Sequence, residues 1–316
     1  MTPALAIVLF LASAALTFAA AGFFAQRLDH VGPRLGLPEA VVGLVTAVAA
    51  DAPEISSALV ALERGEKQVS LGVVLGSNVF NLAAMVGLAA VLTGGVRLRR
   101  NALVLEGAVG LLATCVAAAL VLGWLPAWAT LLLFVAILAP YLALSVHGSG
   151  NPLDERPARR RRRPDETALW KSLSLIVPAV ALIVAGSTGM VRGALVLAGD
   201  WHVSKQIVGI LVLAVLTSLP NAYTAIRLGL ERRGAALVSE TIGSNTINLV
   251  GGLLLPALVV GLAAPSGIVD VDLVWLLGMT AVTLLLLAPR RGVGMRGGAL
   301  LIALYAVFVV VQVVAQ

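Results

Sequence analysis

Residues 45–62, VTAVAADAPEISSALVAL, and 71–82, LGVVLGSNVFNL, are answered 167 positions later by 212–226, VLAVLTSLPNAYTAI, and 239–249, SETIGSNTINL. Over the ungapped stretches from Leu44 to Leu82 and from Leu211 to Leu249, Pro53 meets Pro220, Gly76-Ser77-Asn78 meets Gly243-Ser244-Asn245, and Asn81 meets Asn248. Shared apolar residues are cheap coincidences between membrane helices. A proline and a GSNxxN motif at one common offset are not, and they mark an internal repeat. Each proline lies inside an apolar run, where it removes a backbone donor and frees the carbonyl one turn earlier, near Ala49 and Leu216.

The rest of the chain has the composition of a membrane protein. Of its 316 residues 59% are hydrophobic and only 12% charged, and the mean hydropathy is +1.01. A soluble domain carries roughly 25% charged residues, so that class is excluded. Runs such as 107–121 and 273–287 lack the alternation of barrel strands, which predicts an all-α polytopic fold. Ten spans are expected, at about 3–25, 38–62, 69–95, 101–123, 126–146, 171–197, 205–230, 235–263, 271–288 and 297–315. The first is too long and too uniformly apolar for a signal peptide. Assigned to alternate connections, the basic residues divide 18 against 4, the minority being Arg64, Lys67, Arg192 and Lys205. The positive-inside rule then places the majority in the cytoplasm and both termini outside a cell membrane.

The one long polar stretch, GSGNPLDERPARRRRRPDE at 148–166, divides the chain five plus five. The expected organisation is a first half at 1–147 with its repeat at 38–95, a basic cytoplasmic linker at 148–170, and a second half at 171–316 with its repeat at 205–263. Five spans per half is an odd number, so the second repeat must enter the membrane from the opposite face, as in the inverted repeats of secondary transporters. The Arg159 to Arg163 run reads as a solvated topology signal rather than a nucleic-acid site. The net charge of +6 is accounted for by orientation.

Few ionisable groups fall deep in the spans, and an intramembrane carboxylate is a functional residue by default. Asp51 and Glu54, three apart on one helix face, cannot both stay ionised in a low dielectric without a cation, so they hold a metal ion or share a proton. Ser77 and Asn81 on the third span and Ser244 and Asn248 on the eighth repeat one spacing, while Thr217, Ser218 and Asn221 fill the seventh span where Ala50, Asp51 and Glu54 lie in the second. Such hard oxygen ligands suit Na+, Ca2+ or Mg2+. Glu240 stands one turn before Ser244 and is a candidate cytoplasmic guard or proton acceptor. Glu106, Asp200, Asp270 and Asp272 lie near span ends and read as interfacial. Cys115 is a lone packing residue, which removes disulfides and thiolate metal sites.

The two segments resemble the α-repeats of the calcium/cation antiporter superfamily, especially the sodium/calcium exchangers, whose motifs centre on G-T-S-x-P-E followed by G-S-N-x-x-N. The resemblance implies an exchanger with a midplane cation site and alternating access, in which the first and sixth spans slide across the remaining bundle. It implies ligands at Glu54, Ser77, Asn81, Thr217, Ser218 and Ser244, with backbone carbonyls from Ala47 and Ala214. The chain departs from that pattern in four places. The second-repeat Glu is Asn221, a frequent Asp is Asn248, and the first-repeat hydroxyl pair is Ala50 and Asp51.

The function expected is therefore a cation antiporter moving Ca2+ or another cation against Na+, with Na+/H+ exchange through Asp51 and Glu54 as the alternative and a cation channel as a further one. No GxSG-type serine or HExxH pair points to an enzyme, and no cofactor is called for. Membrane lipids and inorganic cations are the expected partners, nucleic acid is not, and a monomer is compatible with the sequence.

Overall fold

The computed structural model describes residues 1–31, 48–97, 100–147, 166–262, 267–289 and 292–314. Ala47, the first half of the expected second span, and the linker arginines Arg159 to Arg163 lie outside these residues.

The chain is nearly all helical. In order it forms α1 (Pro3–Val31), α2 (Ala52–Glu63), α3 (Lys67–Thr93), a two-residue strand β1 (Gly95–Val96), α4 (Arg100–Val121), α5 (Ala127–His147), α6 (Glu166–Asp200), α7 (Lys205–Thr217), α8 (Leu219–Leu230), α9 (Gly234–Val260), α10 (Gly267–Leu287), β2 (Val293–Gly294) and α11 (Met295–Val314). Among the described residues eight helices are long and apolar enough to cross a bilayer, and α7 with α8, bent by 44° at Ser218, bring the count to nine when taken as one broken span. The protein is a multi-pass membrane protein. Helix α2, with the helical residues 48–50 before the break at Asp51, is the described part of the second expected span.

The connections gather at the two ends of α3. At its start the Lys205 ammonium meets the Glu66 carboxylate at 2.6 Å, and Lys67 donates to the carbonyls of Val260 and Leu262 at 3.4 Å. At the other end Val96 pairs with Val293 across β1 and β2, and Gly234 lies against the backbone of Arg97. Helix α2 therefore runs toward the first end and α3 away from it, whereas α8 runs toward the second end and α9 away. The two repeats point in opposite directions. Where α3 and α9 cross, Asn78 Nδ2 donates to the Asn245 carbonyl at 3.2 Å and Asn245 Nδ2 returns to the Asn78 carbonyl at 3.0 Å, a reciprocal bond between residues 167 apart. Equivalent groups exchange bonds in this way only across a two-fold-like axis.

Helix α3 is the hub, with its apolar core shared by α7 and α9: Leu75, Leu82, Met85, Ile210, Leu213, Leu237 and Leu249 are all fully buried there. Lipid tails are as apolar as these side chains, so close backbone approach has to supply the packing. Gly76 is pressed against Ile210 of α7, and Gly209 against Val69 of α3. A second tight pair stands beside this core, where Gly186, Gly189 and Gly193 of α6 fit against Thr17, Ser13 and Phe10 of α1. Three turns of π-helix, Leu82–Leu88, Val208–Leu213 and Leu249–Leu254, interrupt α3, α7 and α9. Two of them follow directly on Asn81 and Asn248, and such insertions recur at functional sites. Cys115 departs from its expected packing role. It is exposed on α4, because the apolar residues of a span face lipid as readily as protein.

The α3–α7 contact yields a direct check. Gly76→Val places two methyl groups into the Ile210 backbone and should cost about 2 kcal/mol or more, read as a lower melting temperature and a smaller folded fraction in detergent. An unchanged melting temperature would mean that the two helices do not meet at Gly76.

Candidate cation site

The backbone breaks twice, at equivalent places. Asp51 (φ −84°, ψ −3°) precedes α2 and Ser218 (φ −85°, ψ −3°) precedes α8, and each has a proline two residues on. The proline explains the break. Pro53 and Pro220 offer no N–H to Ala49 and Leu216, and the ring pushes the preceding turn aside, which leaves Asp51 and Ser218 in the sparsely populated bridge region. Helices α2 and α8 then match in length at 12 residues each. The side chains they carry do not match.

Asp51, Glu54, Ser77, Asn81, Thr217, Ser218, Asn221, Ser244 and Asn248 are all at most 2% exposed. Asn221 lies at their centre. Its Nδ2 donates to Asp51 Oδ1 at 2.7 Å, to Glu54 Oε1 at 3.0 Å and to Ser244 Oγ at 3.1 Å. Ser244 Oγ donates to Asp51 Oδ1 at 2.5 Å and accepts from Asn81 Nδ2 at 3.2 Å. Asn81 also reaches Asn245 Oδ1 at 3.1 Å, and Asn248 Nδ2 reaches Asn78 Oδ1 at 3.4 Å. One network thus joins α2, α3, α8 and α9.

Part of its acceptor capacity is left over, and so is the Ser218 hydroxyl. Asp51 Oδ2, Glu54 Oε2, Asn81 Oδ1, Asn221 Oδ1 and Asn248 Oδ1 are buried with no hydrogen-bond partner. An unmet buried acceptor costs about 1–3 kcal/mol, more when charged. Two carboxylate and three amide oxygens in that condition make a set that a hard cation satisfies and a further apolar side chain does not. The hydroxyls of Ser77 and Thr217 donate to backbone carbonyls, to Val74 at 3.1 Å and to Leu213 at 2.9 Å, which turns their lone pairs outward.

Two of the expected groups stand apart from this set. The Ala214 carbonyl already accepts from the Ser218 N–H at 3.2 Å within its own helix, and the Thr217 hydroxyl that bonds Leu213 lies 3.2 Å from it. Glu240 is half-buried on the approach to Ser244, outside the hydrogen-bonded network, and the charges that act on it are those of Asp51 and Arg233.

Two carboxylates read as interfacial are buried. Glu106 accepts from Tyr141 Oη at 3.1 Å and from Ser239 Oγ at 2.9 Å, and Asp272 accepts from Gln206 Nε2 at 3.1 Å and from Gln312. Both stand near span ends in the sequence, and their donors come from helices distant in the chain. Asn78 and Asn245 join the network without being among the expected ligands, and the GSN motif that contains them is their signal in the sequence.

Sequence and structure comparisons agree on one relationship. The profile of the family described as sodium/calcium exchanger protein matches residues 5–146 and 171–314. The putative antiporter CaxA of Alkalimonas amylolytica is 25% identical over 251 residues, 78% of this chain and 77% of its own. The inner membrane protein YrbG of Escherichia coli (strain K12) is 29% identical over 235 residues, 71% of this chain and 70% of its own. A structure of the sodium-calcium exchanger NCX_Mj superposes with a TM-score of 0.67 at 20% identity, covering 98% of this chain and 99% of that one. Native YfkE superposes at 0.72 and 17% identity, covering 96% and 92%. These likenesses carry the fold.

A cation that binds the orphaned oxygens stabilises the folded protein by mass action, about 2.7 kcal/mol at a hundredfold excess over Kd. Titrating Ca2+ or Na+ into detergent-solubilised protein should raise its melting temperature, and the double variant Asp51→Asn, Glu54→Gln should lose that rise. A rise of equal size in the variant would place the ion elsewhere.

Proposed function

This chain belongs to the sodium/calcium exchanger protein family, and on that premise we propose that it is a secondary-active antiporter that moves Ca2+ against Na+ by alternating access through the site between α2, α3, α8 and α9. Cation exchange follows from the family. The observation that carries the more specific reading is the set of five buried acceptor oxygens without donors around Asp51 and Glu54. We assign the ligands to Asp51, Glu54, Ser77, Asn81, Thr217, Ser218, Asn221, Ser244 and Asn248, and the family resemblance adds the Ala47 carbonyl, outside the described residues. Glu240 guards the cytoplasmic approach.

The proposed frame is ten spans in two inverted halves of five, 1–147 and 171–316, joined by the cytoplasmic linker 148–170, with both termini outside the cell membrane. Opposed repeats give the transporter two related conformations, one open to each side. Structures of NCX_Mj are described for crystals soaked with Na+, Ca2+ or Sr2+, which fits a site of hard oxygens in a protein of this fold.

A second reading rests on one observation. Asn221 and Asn248 leave Asp51 and Glu54 as the only carboxylates of the network, fewer than Ca2+ usually recruits, and two adjacent acids also suit Na+ exchanged against protons.

Reconstituted liposomes separate the two. Ca2+ uptake that requires an outward Na+ gradient supports Na+/Ca2+ exchange, and Na+-driven pH change without Ca2+ flux supports the proton reading and removes the first. Flux with no counter-ion requirement would make the protein a channel. Glu54→Gln should reduce transport at least a hundredfold, and activity within twofold of the parent would remove Glu54 from the site. Asp51→Ser restores the hydroxyl of the family pattern and should shift ion preference. An unchanged preference would make Asp51 a bystander.

A further inference from the structure

An asparagine amide is nearly symmetric in shape, and which of its ends is oxygen is decided by what each end must bond. Where α3 and α9 cross, that decision starts at two backbone carbonyls, which can only accept. The Asn245 carbonyl takes the amide nitrogen of Asn78 at 3.2 Å and the Asn78 carbonyl takes that of Asn245 at 3.0 Å, which sets the oxygen of each side chain at its other end. Those two oxygens in turn can only accept. Asn78 Oδ1 receives Asn248 Nδ2 at 3.4 Å, and Asn245 Oδ1 receives Asn81 Nδ2 at 3.1 Å. With their nitrogens held in this way, Asn81 and Asn248 turn their oxygens to the opposite side, where both are buried without a hydrogen-bond partner.

Each link runs between the repeats: Asn78 on α3 holds Asn248 on α9, and Asn245 on α9 holds Asn81 on α3. We propose that Asn78 and Asn245 are positioning residues of the cation site. Anchored on each other's backbone, they hold the amides of Asn248 and Asn81 with oxygen toward the ion, so each repeat orients a ligand of the other. The inference rests on the cation-site reading above and deepens it. A ligand amide that turned over would face the ion with its NH2 group, which donates and cannot coordinate a cation. The two links are unequal, because Asn81 Nδ2 also donates to Ser244 Oγ at 3.2 Å. Loss of Asn78 therefore frees its ligand more completely than loss of Asn245.

Ca2+ and Na+ are each titrated into the detergent-solubilised protein, and the apparent Kd is read from the rise in melting temperature. Asn78→Leu removes the acceptor at similar side-chain volume and should weaken binding about 10- to 100-fold, the usual effect of losing the outer partner of a ligand. Asn245→Leu should weaken it less. A carboxylate presents oxygen whichever way it turns, so in an Asn248→Asp background the same Asn78→Leu change should alter Kd by no more than about threefold. If Asn78 merely braced the crossing, its loss would cost the same factor in both backgrounds. That result, or an unchanged Kd in Asn78→Leu alone, would overturn the proposal and leave the cation site in place. A parent protein that binds neither ion would instead overturn the cation-site reading, and the proposal with it. Where Asn78→Leu fails to fold, the parent protein decides. With its asparagines 13C-labelled at the side-chain carbonyl, bound ion should shift the labelled infrared band, and a band that stays in place overturns the proposal.

Discussion

The structure depends on one shared donor. Asp51 and Glu54 stand one helical turn apart in the interior of the bundle, and the nitrogen of Asn221 touches both. Two like charges about 5 Å apart repel by roughly 3 kcal/mol even at an effective dielectric of ~20. The amide offsets part of that repulsion without filling the site, because it meets one oxygen of each carboxylate and leaves the other free. For the nitrogen to lie there, α8 has to start just after Ser218, one turn before Asn221, and Pro220 secures the break there. Glycine contacts at Gly76 and Gly209 hold α7 against α3, so the break cannot drift.

The frame around this donor is symmetric and the chemistry on it is not. Matching dihedrals at Asp51 and Ser218 and the reciprocal bonds of Asn78 and Asn245 show two copies of one backbone plan meeting at a two-fold-like crossing. Within the hydrogen-bonded network the carboxylates belong to the first copy, and their hydrogen-bond donors come from the second: Asn221 on α8 and Ser244 on α9. A displacement of one repeat against the other therefore changes how the carboxylates are partnered. That is a physical route by which relative motion and ion affinity become linked, and it needs no separate sensor.

The parts of this arrangement legible in the sequence are those set by local chemistry. Prolines 167 residues apart fixed the two breaks, the GSN motifs located the crossing of α3 and α9, and the scarcity of deep charge isolated Asp51 and Glu54. What escaped depended on partners remote in the chain. Glu106 and Asp272 have the sequence context of interfacial acids, and only the packing of Tyr141, Ser239, Gln206 and Gln312 against them reveals that they are buried. Ala214 shows the converse. Its carbonyl falls at a position where the family pattern offers a free oxygen, yet the Ser218 N–H takes it up locally.

The packing also distinguishes interfaces that can slide from those that cannot. Helices α3 and α7 interlock, with Gly76 seated against the Ile210 backbone and Gly209 against Val69, so translation of one past the other must drive main chain through main chain. The α1–α6 pair is interlocked internally in the same manner, through Gly186, Gly189 and Gly193. Its contact with the site helix is of another kind: Ala20, Ala21 and Ile183 form a small cluster that Ala52 packs against. These apolar side chains present a shallower surface than the glycine contacts, so this boundary offers the lower resistance to translation. Ala52 adjoins Asp51. In the proposed exchanger, sliding of the α1–α6 pair over Ala52, as the family resemblance implies, would cover or uncover the buried carboxylates while the interlocked core and its shared amide stayed in place.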